Sequence, residues 1–143
     1  MSVLKGLTDW LNTNFPLSDF DIDQIQYEEM TGSSVARCAI YANGGTERDL
    51  YIGGDKEVDF GFRIMYHCIS EDTNSRVVAN NFFAALGFWL WERSISGLAG
   101  LDIGEGNAPK KIVMQPQSKT ETKQDNSQVW VASFTLTYEK RGI

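Results

Sequence analysis

Apolar residues recur along this chain with two periods, and the switch between them marks its elements. Val3, Leu4, Leu7, Trp10, Leu11 and Phe15 fall at the 3.6-residue period, with Lys5, Asp9, Asn12 and Asn14 between them. The spacing predicts a helix over 2–14 that buries one stripe, with Ser2 as its N-cap and Pro16 as its stop. Residues 17–21 read as a turn, and 22–29 as a short strand with Ile22, Gln24 and Gln26 opposite Asp23, Ile25 and Tyr27. Val35 to Tyr41 reads as a strand. Asn43-Gly44-Gly45 predicts a chain reversal, followed by a short strand at 50–52.

Strict alternation begins at Val58. Val58, Phe60, Phe62, Ile64, Tyr66 and Cys68 share one face, and Asp59, Gly61, Arg63, Met65 and His67 share the other. This is the pattern of a half-buried strand running to residue 70. The period returns to 3.6 from 72–75 to about 92 or 93, and a glycine-rich loop follows over 96–109. Two more strands, 111–117 and 128–141, form a hairpin. Trp130, Ala132, Phe134, Leu136 and Tyr138 alternate with Val129, Val131, Ser133, Thr135 and Thr137 in the second. Pro116 places the first at a sheet edge or on a bulge. The polar tip, residues 118–127, is longer than a tight turn and is expected to be mobile. The order α-β-β-β-α-β-β, with strands clustered around one long helix, predicts an α+β fold. Its sheet is mainly antiparallel, and an N-terminal helix and a long central helix pack on it. At 143 residues this is a single domain, 1–143.

The central helix departs from an ordinary surface helix. At 100° per residue, Val78, Ala79, Phe82, Phe83, Leu86, Trp89 and Leu90 cover one broad arc, which should face the sheet. The opposite arc holds Val77, Asn80, Asn81, Ala84, Gly87, Phe88, Trp91 and Glu92, where charge would be usual. Two readings follow. Either Phe88 and Trp91 meet another subunit, as aromatic rings among small residues do in interface cores, or the chain covers them itself with its 96–109 loop. Val77, Asn80, Asn81, Ala84, Phe88 and Trp91 are therefore candidate interface residues. Arg63 and His67, on the polar face of the 58–70 strand, join them.

Composition narrows the chemistry. A net charge of −6 argues against a general nucleic-acid binder, which needs a basic stripe to displace counterions from phosphate. Residues 1–71 carry twelve acids and five bases, and residues 72–143 seven acids and eight bases. Such polarity is either a solvated acidic face or a means for one face to meet a complementary neighbour in a ring or stack. One histidine and two cysteines leave little for zinc or for histidine catalysis. Cys38 and Cys68 form no disulfide framework, which points to a reducing compartment, though they would be neighbours if their strands pair. No signal peptide and no apolar run near 20 residues is visible. Counting from Asp19, a calcium loop would need glycine at position 24 and glutamate at position 30, where Gln24 and Met30 stand. No catalytic residue, metal site or cofactor is expected.

Leu7-Thr8-Asp9-Trp10-Leu11, Asp59-Phe60-Gly61-Phe62-Arg63-Ile64 and Asn80-Asn81-Phe82-Phe83-Ala84-Ala85-Leu86 resemble small phage proteins often labelled minor capsid protein. These in turn are similar to the tail terminator proteins of long-tailed phages. The resemblance spans nearly the whole chain. It implies a virion protein, assembled in the host cytoplasm, that forms a hexameric ring on the head-proximal end of the tail tube. Such a ring ends polymerisation of the tube protein and offers a surface to the neck or connector protein. DNA passes through its lumen without specific binding, and no membrane is involved. A head-completion or neck adaptor ring is the nearest alternative. A small ligand-binding α+β domain, with a pocket built from Arg63, Tyr66 and His67, is the more distant one.

Overall fold

A computed structural model of the chain describes residues 2–20, 22–28, 36–49, 55–69, 73–115, 118–122 and 127–141. Its elements are α1 (Val3–Asn14), β1 (Ile25–Tyr27), β2 (Ala36–Asp49), β3 (Lys56–Ile69), α2 (Thr73–Ile95), β4 (Asn107–Met114), β5 (Ser118–Thr122) and β6 (Ser127–Lys140). The sheet runs β1-β2-β3-β6-β4, with β5 also paired to β6. Every pairing is antiparallel except β1 with β2. The architecture is the expected α+β fold, with β5 added to the expected order.

The central strands obey the alternation. Cys38, Tyr66 and Trp130 stand in register, as do Ile40, Ile64 and Ala132, then Phe62, Phe134 and Met114, then Phe60, Leu136 and Ile112. This face meets the helices. Leu4, Leu7, Trp10 and Leu11 of α1, and Ala79, Phe82, Phe83, Leu86 and Leu90 of α2, join it in one core. Stacked rings tie the layers together: Phe62 lies 5.1 Å from Phe134, and Tyr66 lies 5.5 Å from Phe82. Side by side, the helices meet through Trp10 and Trp89 at 4.9 Å and Phe15 and Trp89 at 5.4 Å.

Several sequence expectations change. Asn43-Gly44-Gly45 does not reverse the chain. It is a bulge inside one continuous β2, with Gly44 at φ 80°. Asn-Gly supplies the left-handed conformation that a bulge needs as readily as it supplies a hairpin turn. The strands close tightly there: a Cβ on Gly45 would stand 2.6 Å from the Asp59 carbonyl oxygen, and one on Gly61 2.8 Å from that of Asn43. The expected strand at 50–52 lies outside the described residues. Residues 17–20 form a short 3-10 turn, and the expected strand over 22–29 shrinks to three residues. Of the segment expected as a mobile tip, Ser118–Thr122 is strand β5, and residues 123–126 lie outside the described residues. Strand β4 is at the sheet edge, as Pro116 implied, but it ends at Met114 and its bulge is at Pro109/Lys111. In register, Cys38 faces Tyr66 and Cys68 faces Ala36, and Cys38 is a free, buried thiol. Burial pushes that thiol's pKa well above its usual range, so it stays protonated and unreactive.

Candidate functional site

Both helices cover the same sheet face, and each closes one sheet edge with a single side chain. At the β1 edge the Asn12 amide donates to the Ile25 carbonyl at 3.0 Å and accepts from the Ile25 N–H at 2.7 Å. At the β4 edge the Ser94 hydroxyl accepts from the Ile112 N–H at 2.9 Å and lies 3.3 Å from its carbonyl and 2.8 Å from that of Leu90. The outward-facing N–H and carbonyl of Ile25 and the outward-facing N–H of Ile112 are thereby satisfied.

The outer sides of the helices differ. On α1 the exposed residues include Lys5 and Asp9, paired at 2.9 Å. On α2 the exposed positions Asn81, Ala84, Phe88, Trp91 and Ile95 follow one another at intervals of three, four, three and four residues. That is the spacing of a helix seam made to be packed against. Phe88 is 61 % exposed, Trp91 59 % and Ile95 69 %, and the two rings lie 6.0 Å apart. The seam leans toward β4. Gly87, whose Cα side is closed by the Met114 sulfur, and Ser94 on Ile112 lie nearer to it around the helix than does Trp89 on the α1 side.

The 96–109 loop does not cover these rings. It folds to the other side of α2, against α1: Leu98, Leu101 and Ile103 are buried, and Trp10 Nε1 donates to the Ala99 carbonyl at 3.4 Å. Gly6 of α1 has no room for a side chain, because a Cβ there would run into the Asp102 carbonyl. Phe88 and Trp91 are thus left in water at a place where apolar exposure marks a contact surface.

Of the other sequence candidates, Asn81 and Ala84 belong to this seam, whereas Arg63 and His67 lie on the far sheet face. Asn80, Asn81 and Ala84 are exposed on α2. Gly87, placed on the outer arc from the sequence, is half-buried against β4. Val77 is within α2, but its side chain lies outside the described set. Arg63 is exposed on the far sheet face, 5.9 Å above the Tyr41 ring. His67, read from sequence as a surface or interface residue, is only 2 % exposed. The far face is closed at its end of the sheet, where Ala39 and Val129 are buried too. A strand alternation tells which face a residue points to, not whether that face is covered. Sequence reasoning missed Ile95, which extends the 81, 84, 88, 91 series by four residues; the helix was expected to end before it.

Among the described residues Arg63, Tyr66 and His67 do not converge on one pocket. Tyr66 faces α2 and packs on Phe82, whereas Arg63 and His67 point to the far face of β3. The groove on that face is lined by Glu57, Asp59, Lys110, Lys111, Thr135 and Thr137. Its polar groups already meet each other: Lys110 lies 3.3 Å from Glu57, and Thr137 donates to Asp59 at 2.8 Å. Among the described residues no group of three or more His, Cys, Asp or Glu is placed to hold a metal ion. Among them, too, no helix is long and apolar enough to cross a membrane.

No known family model and no curated protein matches the chain. Among solved structures it is similar to a chain from the virion of a native gene transfer agent particle. Their identity is 13 %, the TM-score is 0.61, and the match covers 96 % of this chain and 95 % of that one. At so low an identity the likeness is one of fold, and it extends from end to end.

Proposed function

We propose that this chain is a structural virion protein that assembles into a ring of six copies at the head-proximal end of a phage tail tube. There it ends tube polymerisation and joins the tail to the neck. The observation that carries the reading is the exposed seam Ala84, Phe88, Trp91 and Ile95 on a helix whose other side buries Ala79, Phe82, Phe83, Leu86 and Leu90. A surface of this kind has a use in a repeating assembly and none in an isolated monomer. The fold likeness to a virion chain and the resemblance in sequence point the same way. The net charge of −6 suits a conduit that DNA traverses without being held.

Tail assembly in a host lacking this protein is the test. Tubes of irregular, extended length are expected. Tubes of normal uniform length would remove the terminator role. Recovery of the protein on heads from tailless lysates would instead assign it to the neck as an adaptor ring.

A further inference from the structure

An open strand edge accepts another strand, because its N–H and carbonyl groups point outward without partners. Two of the edges in this sheet are stopped by a side chain. Asn12 holds the N–H and carbonyl of Ile25 on β1, and Ser94 holds the N–H of Ile112 on β4. A strand added at either place would have to displace them.

The second half of β2 is different. β1 pairs only with Cys38, Ala39 and Ile40. Glu28 donates its N–H to the Ile40 carbonyl at 2.9 Å, then takes a left-handed φ of 53° that ends the pairing there. Beyond this point residues 42–47 are all exposed, and no strand among the described residues pairs with their outer side. The Ile40 carbonyl points outward, so alternation sends the N–H and carbonyl of Ala42 the same way. Across the bulge the register shifts by one residue, which turns those of Gly45 and Glu47 outward as well.

On the opposite side of the sheet, β5 pairs with β6, and no described strand pairs with its other side. Its direction matters. β2, β3, β6 and β5 are each antiparallel to the next, so β5 runs antiparallel to β2 within one copy. A rotation that carries one copy onto its neighbour along the sheet preserves that order, so β5 of one copy meets β2 of the next as an antiparallel pair. The two open stretches also differ in level. β5 lies level with Trp130 and Tyr66, and Gly45 with Phe60 and Leu136, toward opposite ends of β3. Joining them steps each copy along its neighbour, which is the stagger a sheet needs in order to close on itself.

We infer that copies of this chain join edge to edge, with β5 of one copy added to residues 42–47 of β2 in the next, so that one sheet runs through the ring. This rests on the ring reading and specifies a subunit contact for it. Each copy gives one strand and receives one, as a head-to-tail contact requires.

Glu47→Pro tests the contact. The Glu47 N–H points outward, so proline removes a bond to the added strand and none within the copy, at an edge where proline is tolerated. Denaturant unfolding should stay close to wild type, while retention of the protein on tail tubes should fall about tenfold or more. Glu47→Ala keeps the N–H and removes only the carboxylate, which lies 3.5 Å from Lys56 and 4.0 Å from Lys140, and should be retained like the wild type. A Glu47→Pro protein retained like the wild type overturns the inference. So does a Glu47→Ala protein lost to the same extent as the proline variant. Hydrogen exchange on the wild type decides the matter if proline unfolds the chain. Amides in both 42–47 and 118–122 should exchange more slowly in tails than in the free protein, and protection of one stretch alone, or of neither, overturns the inference. The photo-crosslinker p-benzoylphenylalanine at position 119 should give adducts at 42–47 of another copy, and adducts confined to the tube or neck protein overturn it. Failure of the ring reading looks different: these contacts present in open filaments, with no closed rings in electron micrographs. Closed rings lacking the contacts would leave the ring reading standing and remove the inference.

Discussion

The two helices lie side by side on one sheet face, share aromatic contacts and each close a sheet edge, yet their outer sides have opposite characters. Helix α1 buries Leu4, Leu7, Trp10 and Leu11 and shows water a Lys5–Asp9 pair. Helix α2 buries an equally apolar side and shows water Phe88, Trp91 and Ile95. Fold stability accounts for the buried side of α1, which leaves no large apolar side chain exposed, and for only the inner side of α2. The difference separates residues that build the monomer from residues that the monomer does not use.

Substitutions at equivalent chemistry on the two helices should break or sharpen that separation. The largest effect is expected for Trp10→Ala. It empties a core site where Trp89 and the 96–109 loop converge, and should cost about 3–5 kcal/mol in denaturant unfolding. Gly6→Ala should cost about 1–3 kcal/mol by the same measurement, since the added methyl must displace the Asp102 backbone. Asn12→Ala strands the N–H and carbonyl of Ile25, and Ser94→Ala the N–H of Ile112, and each should cost about 1–3 kcal/mol. Faster amide exchange at Ile25 and Ile112 would localise the loss. The smallest effect on unfolding is expected for Trp91→Glu, within about 0.5 kcal/mol of the wild type, together with loss of assembly on sizing. A large destabilisation by Trp91→Glu would erase the contrast between the helices.

Legibility from sequence followed the strength of the local pattern. The 58–70 and 128–141 strands and the inner arc of α2 were readable because alternation and the 3.6-residue period persist there over several turns or strand pairs. The glycine-rich bend in β2 was misread because Asn-Gly-Gly serves a hairpin and a bulge equally, and the choice depends on the partner strand. β5 was missed because Ser118–Thr122 carries no apolar alternation and owes its strand state to pairing with β6. At the candidate site, Phe88 and Trp91 stood out as aromatics on a side where charge was expected. That the 96–109 loop leaves them uncovered, and that His67 is covered, depends on segments distant in sequence.

Periodicity by itself determined which side of each element faces the core, because side-chain direction follows directly from helix and strand geometry. It also determined that α2 carries rings on two sides. The tertiary structure alone decided which of these is solvent-facing, sending Leu98, Leu101 and Ile103 toward α1. It also decided that Asn12 and Ser94 close the sheet edges. Such choices come from long-range packing and hydrogen bonding, whose energies no local window of the chain contains.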